Sequence, residues 1–219
     1  MPRGPRIAFE NAFFHVYNRG VAKQKIFLDE ADYAHFLSRL TQLKTKKLFD
    51  HSIYTYTLMP NHFHLLLQVM GTSLAKVMTS LLTSYSMYFN RKYQRVGPLF
   101  QNRFKSKLVD RDRYFLGASR YILLNPIEAK LVSRIGDYPW SSYQELFGMS
   151  PYSIIDRKEV GRLIGETATE KSGYHNFLMD GIPKLDELKE AYSFEKDIEG
   201  SANFFTLSQK KYLRRALKL

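Results

Sequence analysis

Apolar residues recur along this chain in two rhythms, one of period two and one of three or four. Residues 12–18, AFFHVYN, are aromatic and β-branched and predict a strand. Asp29 offers a helix N-cap, and Tyr33, Phe36, Leu37 and Leu40 follow at helical spacing. Residues 51–58, HSIYTYTL, predict a second strand. Pro60-Asn61 signals a turn and residues 62–69 a third strand, so these two strands should form a hairpin. Ser73 can cap a long helix in which Leu74, Val77, Met78, Leu81, Leu82, Tyr85, Tyr88 and Phe89 make one stripe, with Ser and Thr filling much of the other face. Gly97-Pro98 breaks the chain, and residues 104–109, FKSKLV, predict a fourth strand. Asp110 or Asp112 can cap a further helix. That helix is expected to stop near Asn125, because Pro126 disfavours helical geometry in the residue before it.

Strand, helix, strand, strand, helix, strand is the order of a ferredoxin-like α+β sandwich, with an antiparallel sheet and two helices on one face. The opposite face is then expected to be free for a ligand. Beyond Tyr143 the pattern weakens into short helices with polar joints. The expected division is a domain over residues 1–148 and a helical C-terminal extension over 149–219.

Composition narrows the class. A net charge of +12 in 219 residues suits a polyanionic partner, usually nucleic acid, although a merely solvated basic surface has the same signature. There is no cysteine, which excludes disulfides and thiolate chemistry. No apolar run approaches the roughly 20 residues that cross a bilayer. MPRGPRIAFE lacks a signal-peptide core, so a cytoplasmic protein with no membrane partner is expected.

Within the third strand, alternate residues share a face. His62, His64, Leu66 and Gln68 point one way, and the purely apolar Phe63, Leu65, Leu67 and Val69 point the other. The two histidine Cα atoms stand about 7 Å apart by strand geometry. Two imidazoles so spaced can converge on a divalent ion, or can simply be two polar residues tolerated in a half-buried strand.

SRYILLNP, residues 119–126, holds groups that could complete a centre. Tyr121 and Asn125 lie four apart on one helix face. A tyrosine hydroxyl can be a nucleophile and an amide oxygen a neutral ligand. Equally, Tyr121 could be a core aromatic and Asn125 a helix C-cap. Gly117 and Ala118, one turn earlier, would leave room for a nucleic acid strand. Arg91, Lys92, Arg95, Arg103, Lys105, Lys107, Arg111 and Arg113 are interleaved with Tyr93, Phe100 and Phe104. That mixture of charge and stacking surface suits single-stranded or hairpin DNA, unless the aromatics belong to the core. Lys210, Lys211, Arg214, Arg215 and Lys218 make the C-terminal end basic as well.

FHVYNRG, MPNHFHLLL, GPLFQNRFKSKLV, RYILLNPIEAKLV and YPWSSY occur in this order between about residues 12 and 147. Together they resemble the REP-associated tyrosine transposases, relatives of the single-tyrosine insertion-sequence transposases within the HUH nucleases. The resemblance implies a metal-dependent single-strand DNA endonuclease and strand transferase acting through a 5′-phosphotyrosine. By position it implies Tyr121 as nucleophile and His62, His64 and Asn125 as ligands of Mg2+ or Mn2+. Leu123 stands where many members have histidine. The alternative is a non-catalytic DNA-hairpin-binding protein on the same scaffold. RNA binding, and the choice between monomer and homodimer, stay open.

Overall fold

The computed structural model describes residues 11–45, 49–109, 115–148 and 150–192. Its centre is a four-stranded antiparallel sheet of order β2-β3-β1-β4. The strands are β1 (Ala12–Arg19), β2 (His51–Met59), β3 (His62–Val69) and β4 (Lys105–Val109). Helices α1 (Glu30–Thr45) and α2 (Leu74–Lys92) lie between them in the chain. The ferredoxin-like order read from the sequence is the observed one. Ser73 caps α2 as expected, its hydroxyl accepting from the Lys76 amide at 3.3 Å. Asp110 and Asp112 lie outside the described residues.

Register sorts the side chains. Directly opposed residues of an antiparallel pair share a face. Val16 opposes Leu65 and Leu58 opposes Phe63, so these belong to one face. Helices α1 and α2 cover it. Phe36 packs on Phe63 with ring centroids 5.1 Å apart and meets Tyr85 of α2 edge-on at the same distance. The other face takes His15 and Tyr17 of β1, Thr55 and Thr57 of β2, His64 and Leu66 of β3, and Lys105 and Lys107 of β4.

The sequence leaves that second face open, and the structure does not. Helix α3 (Phe115–Glu128) lies on it. Phe115 stands edge-on to Phe13 and Tyr54, and the hydroxyls of Ser119 and Thr55 bond at 2.9 Å. Nor does α3 stop before Pro126; it runs three residues past Asn125. Proline removes one backbone donor. Here the loss falls in the last turn, and continuing the helix keeps Leu123 and Leu124 buried and Ile127 packed beside them.

The following segments pack on β2 and α3: the first two on β2, the last two on α3. They are α4 (Ser142–Leu146), α5 (Arg157–Ile164), α6 (Ala168–Met179) and α7 (Leu185–Tyr192). Leu123, Leu124, Ile135, Tyr143, Tyr174 and Leu178 form a second apolar cluster behind the helix. Ile154 and Ile155 belong to the main core. Buried Glu145 holds them there, its Oε1 accepting their two amides at 2.7 and 2.8 Å. Burial, the largest cause, raises this carboxyl to about 7. Among the described residues no helix is long and apolar enough to cross a membrane.

Candidate active site

Strands β1 and β3 run side by side, so three histidines meet. His64 lies opposite Tyr17, and His62 opposite Arg19. One step along β1, His15 reaches back: its Nε2 is 2.9 Å from His64 Nδ1. The Tyr17 ring stands 5.1 Å from that of His64 and 5.8 Å from that of His62. His15 and His64 are buried, and His62 is half-buried toward the hairpin turn.

Helix α3 brings the tyrosine. The Tyr121 ring is 5.6 Å from His64 and 5.9 Å from His15, edge-on to both. One turn later the buried Asn125 donates its Nδ2 to the Tyr121 carbonyl at 2.7 Å. That bond leaves the amide oxygen of Asn125 facing other partners. His62 lies beside it, since Asn125 acts on the titration of that ring. Asn125 is thus an interior helical residue, not the C-cap that the following proline suggests.

Electrostatics favour neutral imidazoles. Burial is the main cause in all three: it depresses His15 to about 3, with Lys107 adding to the effect. It depresses His62 to about 4, with Asn125 opposing and Arg19 assisting. His64 is held well below its ordinary value by burial and then by its two histidine neighbours. A neutral imidazole keeps one lone pair for a ligand. On His62, Nδ1 is 2.6 Å from Asn61 Oδ1, an acceptor, so the lone pair is on Nε2.

These groups suit a divalent ion: two neutral imidazoles and one amide oxygen, each with its other polar atom already bonded. Among the described residues no group of three or more His, Cys, Asp or Glu side chains could hold a metal. Beside His62 and His64, Asn125 offers a neutral oxygen that could serve as a further donor.

The cationic residues divide. Lys105 and Lys107 stand on the histidine face, on the edge strand, and Arg103 is exposed just before them. Arg91 lines a groove between α1 and α2, with His35 and Ser80. Lys92 bonds both Asp29 oxygens, at 2.7 and 2.8 Å, and Asp32 Oδ1 at 2.8 Å, so its charge is already neutralised. Arg95 donates to Gln24 Oε1 at 3.0 Å. Phe104 is core, while Tyr93 and Phe100 are partly buried against it. Arg111 and Arg113, like the basic C-terminal end, lie outside the described residues.

Several neighbours were not singled out from the sequence. His15, Tyr17 and Arg19 alternate along β1, the same period that marks His62 and His64, but only the register shows that the two sets coincide. Arg19 is fixed at the rim by Gln101, Nε to Oε1 at 2.6 Å. The small-residue patch expected to admit a strand is filled instead. A Cβ on Gly117 would overlap the Tyr192 hydroxyl of α7. The Tyr192 ring lies nearly parallel to that of Tyr121, 6.2 Å away. Lys189 of α7 ties to Glu128 at 2.7 Å.

The family model described as "Transposase IS200 like" matches residues 8–124, more than half of the chain. No curated protein sequence matches it. Among solved structures, a REP-associated tyrosine transposase bound to a REP hairpin is similar in fold. Its TM-score is 0.55 at 16% identity, over 71% of this chain and 90% of that one. A putative transposase from Deinococcus radiodurans R1 scores 0.39 at 14% identity, covering 59% of this chain and 98% of its own. A bacterial tRNA(His) guanylyltransferase-like protein in complex with GTP scores 0.36 at 12%, covering 60% and 73%.

Proposed function

The chain belongs to the IS200-like transposase family, and from that premise we propose that it cuts and rejoins single-stranded, hairpin-containing DNA through Tyr121. The observation that carries the proposal is the seating of Tyr121 against His64, with Asn125 one turn on and beside His62.

In this reading His62 and His64 offer ring nitrogens and Asn125 its amide oxygen to Mg2+ or Mn2+. A divalent ion so held supplies positive charge to a phosphate oxygen. Tyr121 Oη attacks phosphorus, the bond from phosphorus to the 3′ oxygen breaks, and the departing oxygen takes up a proton. The products are a 5′-phosphotyrosine and a free 3′-hydroxyl, while the tyrosine proton passes to solvent or a bound base. A later 3′-hydroxyl can reverse the step on another strand without any external energy source. Lys105 and Lys107, on the same face, would meet the phosphate backbone, with Arg103 at the margin. In this reading residues 1–148 would carry the chemistry and 149–219 would be an accessory extension, of which α6 and α7 pack on α3.

A second reading has one observation in its favour. Tyr121 is only 8% exposed, beside Tyr192, as a hairpin-binding protein that no longer cuts could tolerate. One assay decides. Single-stranded hairpins labelled on either side of the break are incubated with protein and Mg2+ or Mn2+. The 3′-side fragment should migrate as a denaturation-resistant protein adduct, and the 5′-side fragment should end in an extendable 3′-hydroxyl. Tight hairpin binding with no adduct in either metal would establish the second reading.

A further inference from the structure

A metal on His64 needs a ring nitrogen without a proton, and His64 does not settle that alone. Its Nδ1 lies 2.9 Å from His15 Nε2. Two imidazole nitrogens this close share one proton: two would collide, and none would oppose two buried lone pairs. Since Nδ1 is engaged, the nitrogen left for a metal is Nε2, and it is bare only when Nδ1 carries the shared proton. We propose that His15 is a positioning residue that accepts this proton bond, fixing His64 in the tautomer and ring orientation that bare Nε2.

The inference rests on the metal reading above and deepens it. Its ground is the pairing of partners behind the ligands. His62 has Asn61 Oδ1 behind it, and Asn125 has the Tyr121 carbonyl. Those partners only accept. His15 Nε2 can accept or donate, so His64 is the one ligand whose proton position depends on a second titratable ring. His15 is 1% exposed and flanked by β3 and β4, so its bond to His64 is sheltered from bulk solvent. Partners of this kind typically change metal affinity by about 10- to 100-fold.

The test uses the full chain and two readouts. Ring 15N spectra give the tautomer of His64 without any metal. Titration with Mn2+, followed by the electron paramagnetic resonance of the free ion, gives affinity without any DNA. Wild type should show Nδ1–H and bare Nε2 on His64. His15→Phe keeps the ring volume but cannot accept; it should move the proton toward Nε2 and weaken Mn2+ binding about 10- to 100-fold. His15→Gln places an amide oxygen where Nε2 was, and should restore both readouts even if Phe disturbs packing. Wild-type spectra with Nε2–H on His64, or unchanged Mn2+ affinity in His15→Phe, would overturn the role of His15 and leave the metal site standing. No Mn2+ uptake by wild type would overturn the metal site itself, and this role with it.

Discussion

From β3, Phe63, Leu65 and Leu67 look into the core beneath α1 and α2, while His62, His64 and Gln68 look toward α3. The strands are the same and the residues merely alternate. On the first face burial is favourable for each side chain, at about 25 cal/mol per Å2 of apolar surface. On the second face burial removes three imidazoles from water and depresses all of them. That face is closed by specific hydrogen bonds, His15 to His64 and Thr55 to Ser119 to Tyr174. The difference teaches that the histidine face, though it also buries Phe13, Tyr54, Leu66 and Phe115, carries a polar burden that the other face does not, and substitutions should separate the two.

The sharpest separation is expected from Tyr121→Phe. It removes one oxygen and keeps the ring contacts, so the urea midpoint should hardly move. Strand cleavage and adduct formation should fall by at least about a thousandfold, as for loss of a nucleophile. Persistence of the adduct in gel assays would transfer the role to another tyrosine, with Tyr17 next to be tested.

Leu65→Ala is the converse. Deleting a fully buried side chain from the helix-covered face should cost about 2–5 kcal/mol in equilibrium urea unfolding. Cleavage per folded molecule should stay near wild type. A large loss of rate at full folding would show that the faces are coupled through the sheet.

Acid should act most on the histidine face, while burial lowers His35 and His51 elsewhere in the same direction. His15 and His62 titrate near 3 and 4 when folded and near 6.5 when unfolded. Between those values the unfolded chain holds more protons, so stability falls as pH drops below about 6.5. By pH 5 each contributes a loss on the order of 1–2 kcal/mol. Glu145 opposes this. Its folded value near 7 lies above the ordinary 4.5, so its contribution is complete below 4.5 and is lost as pH rises through 7. Urea titrations of wild type and Glu145→Gln at pH 5, 6 and 8 separate the two. The variant should lose the alkaline decline and keep the acid one.

The smallest effect is on binding. Lys105→Gln and Lys107→Gln should each weaken single-stranded DNA binding a few-fold and lower the log–log salt slope by roughly 0.7. Arg91→Gln, on the α1–α2 side, should leave both near wild type. Equal effects at the three positions would mean that DNA contacts both sides.

What the sequence made legible follows from range. Strands β1 to β4 and the capped helix α2 rest on local periodicity, and they were readable. So was the pair of imidazoles on one strand face, since the period of two is local. The partners were not: His15 meets His64 across 49 residues, and only the register of β1 on β3 reveals it. Pro126 misled because the local preference at Asn125 was overridden by the burial of Leu123 and Leu124. Lys92 misled for a similar reason, because a charge counted along the chain says nothing of an aspartate 60 residues away.

That range has a consequence in time. The hairpin of β2 and β3 closes over two residues and can form within microseconds, carrying His62 and His64 with it. Closing β1 onto it and docking α3 require much longer loops, which form later and more slowly. The Thr55–Ser119 and Ser119–Tyr174 bonds span 64 and 55 residues, so they lock only when most of the chain exists. A nascent chain still short of residue 121 therefore exposes paired histidines with Tyr17 of β1 beside them but not Tyr121 of α3. The order of folding keeps Tyr121 apart from His62 and His64 throughout the chain's early synthesis.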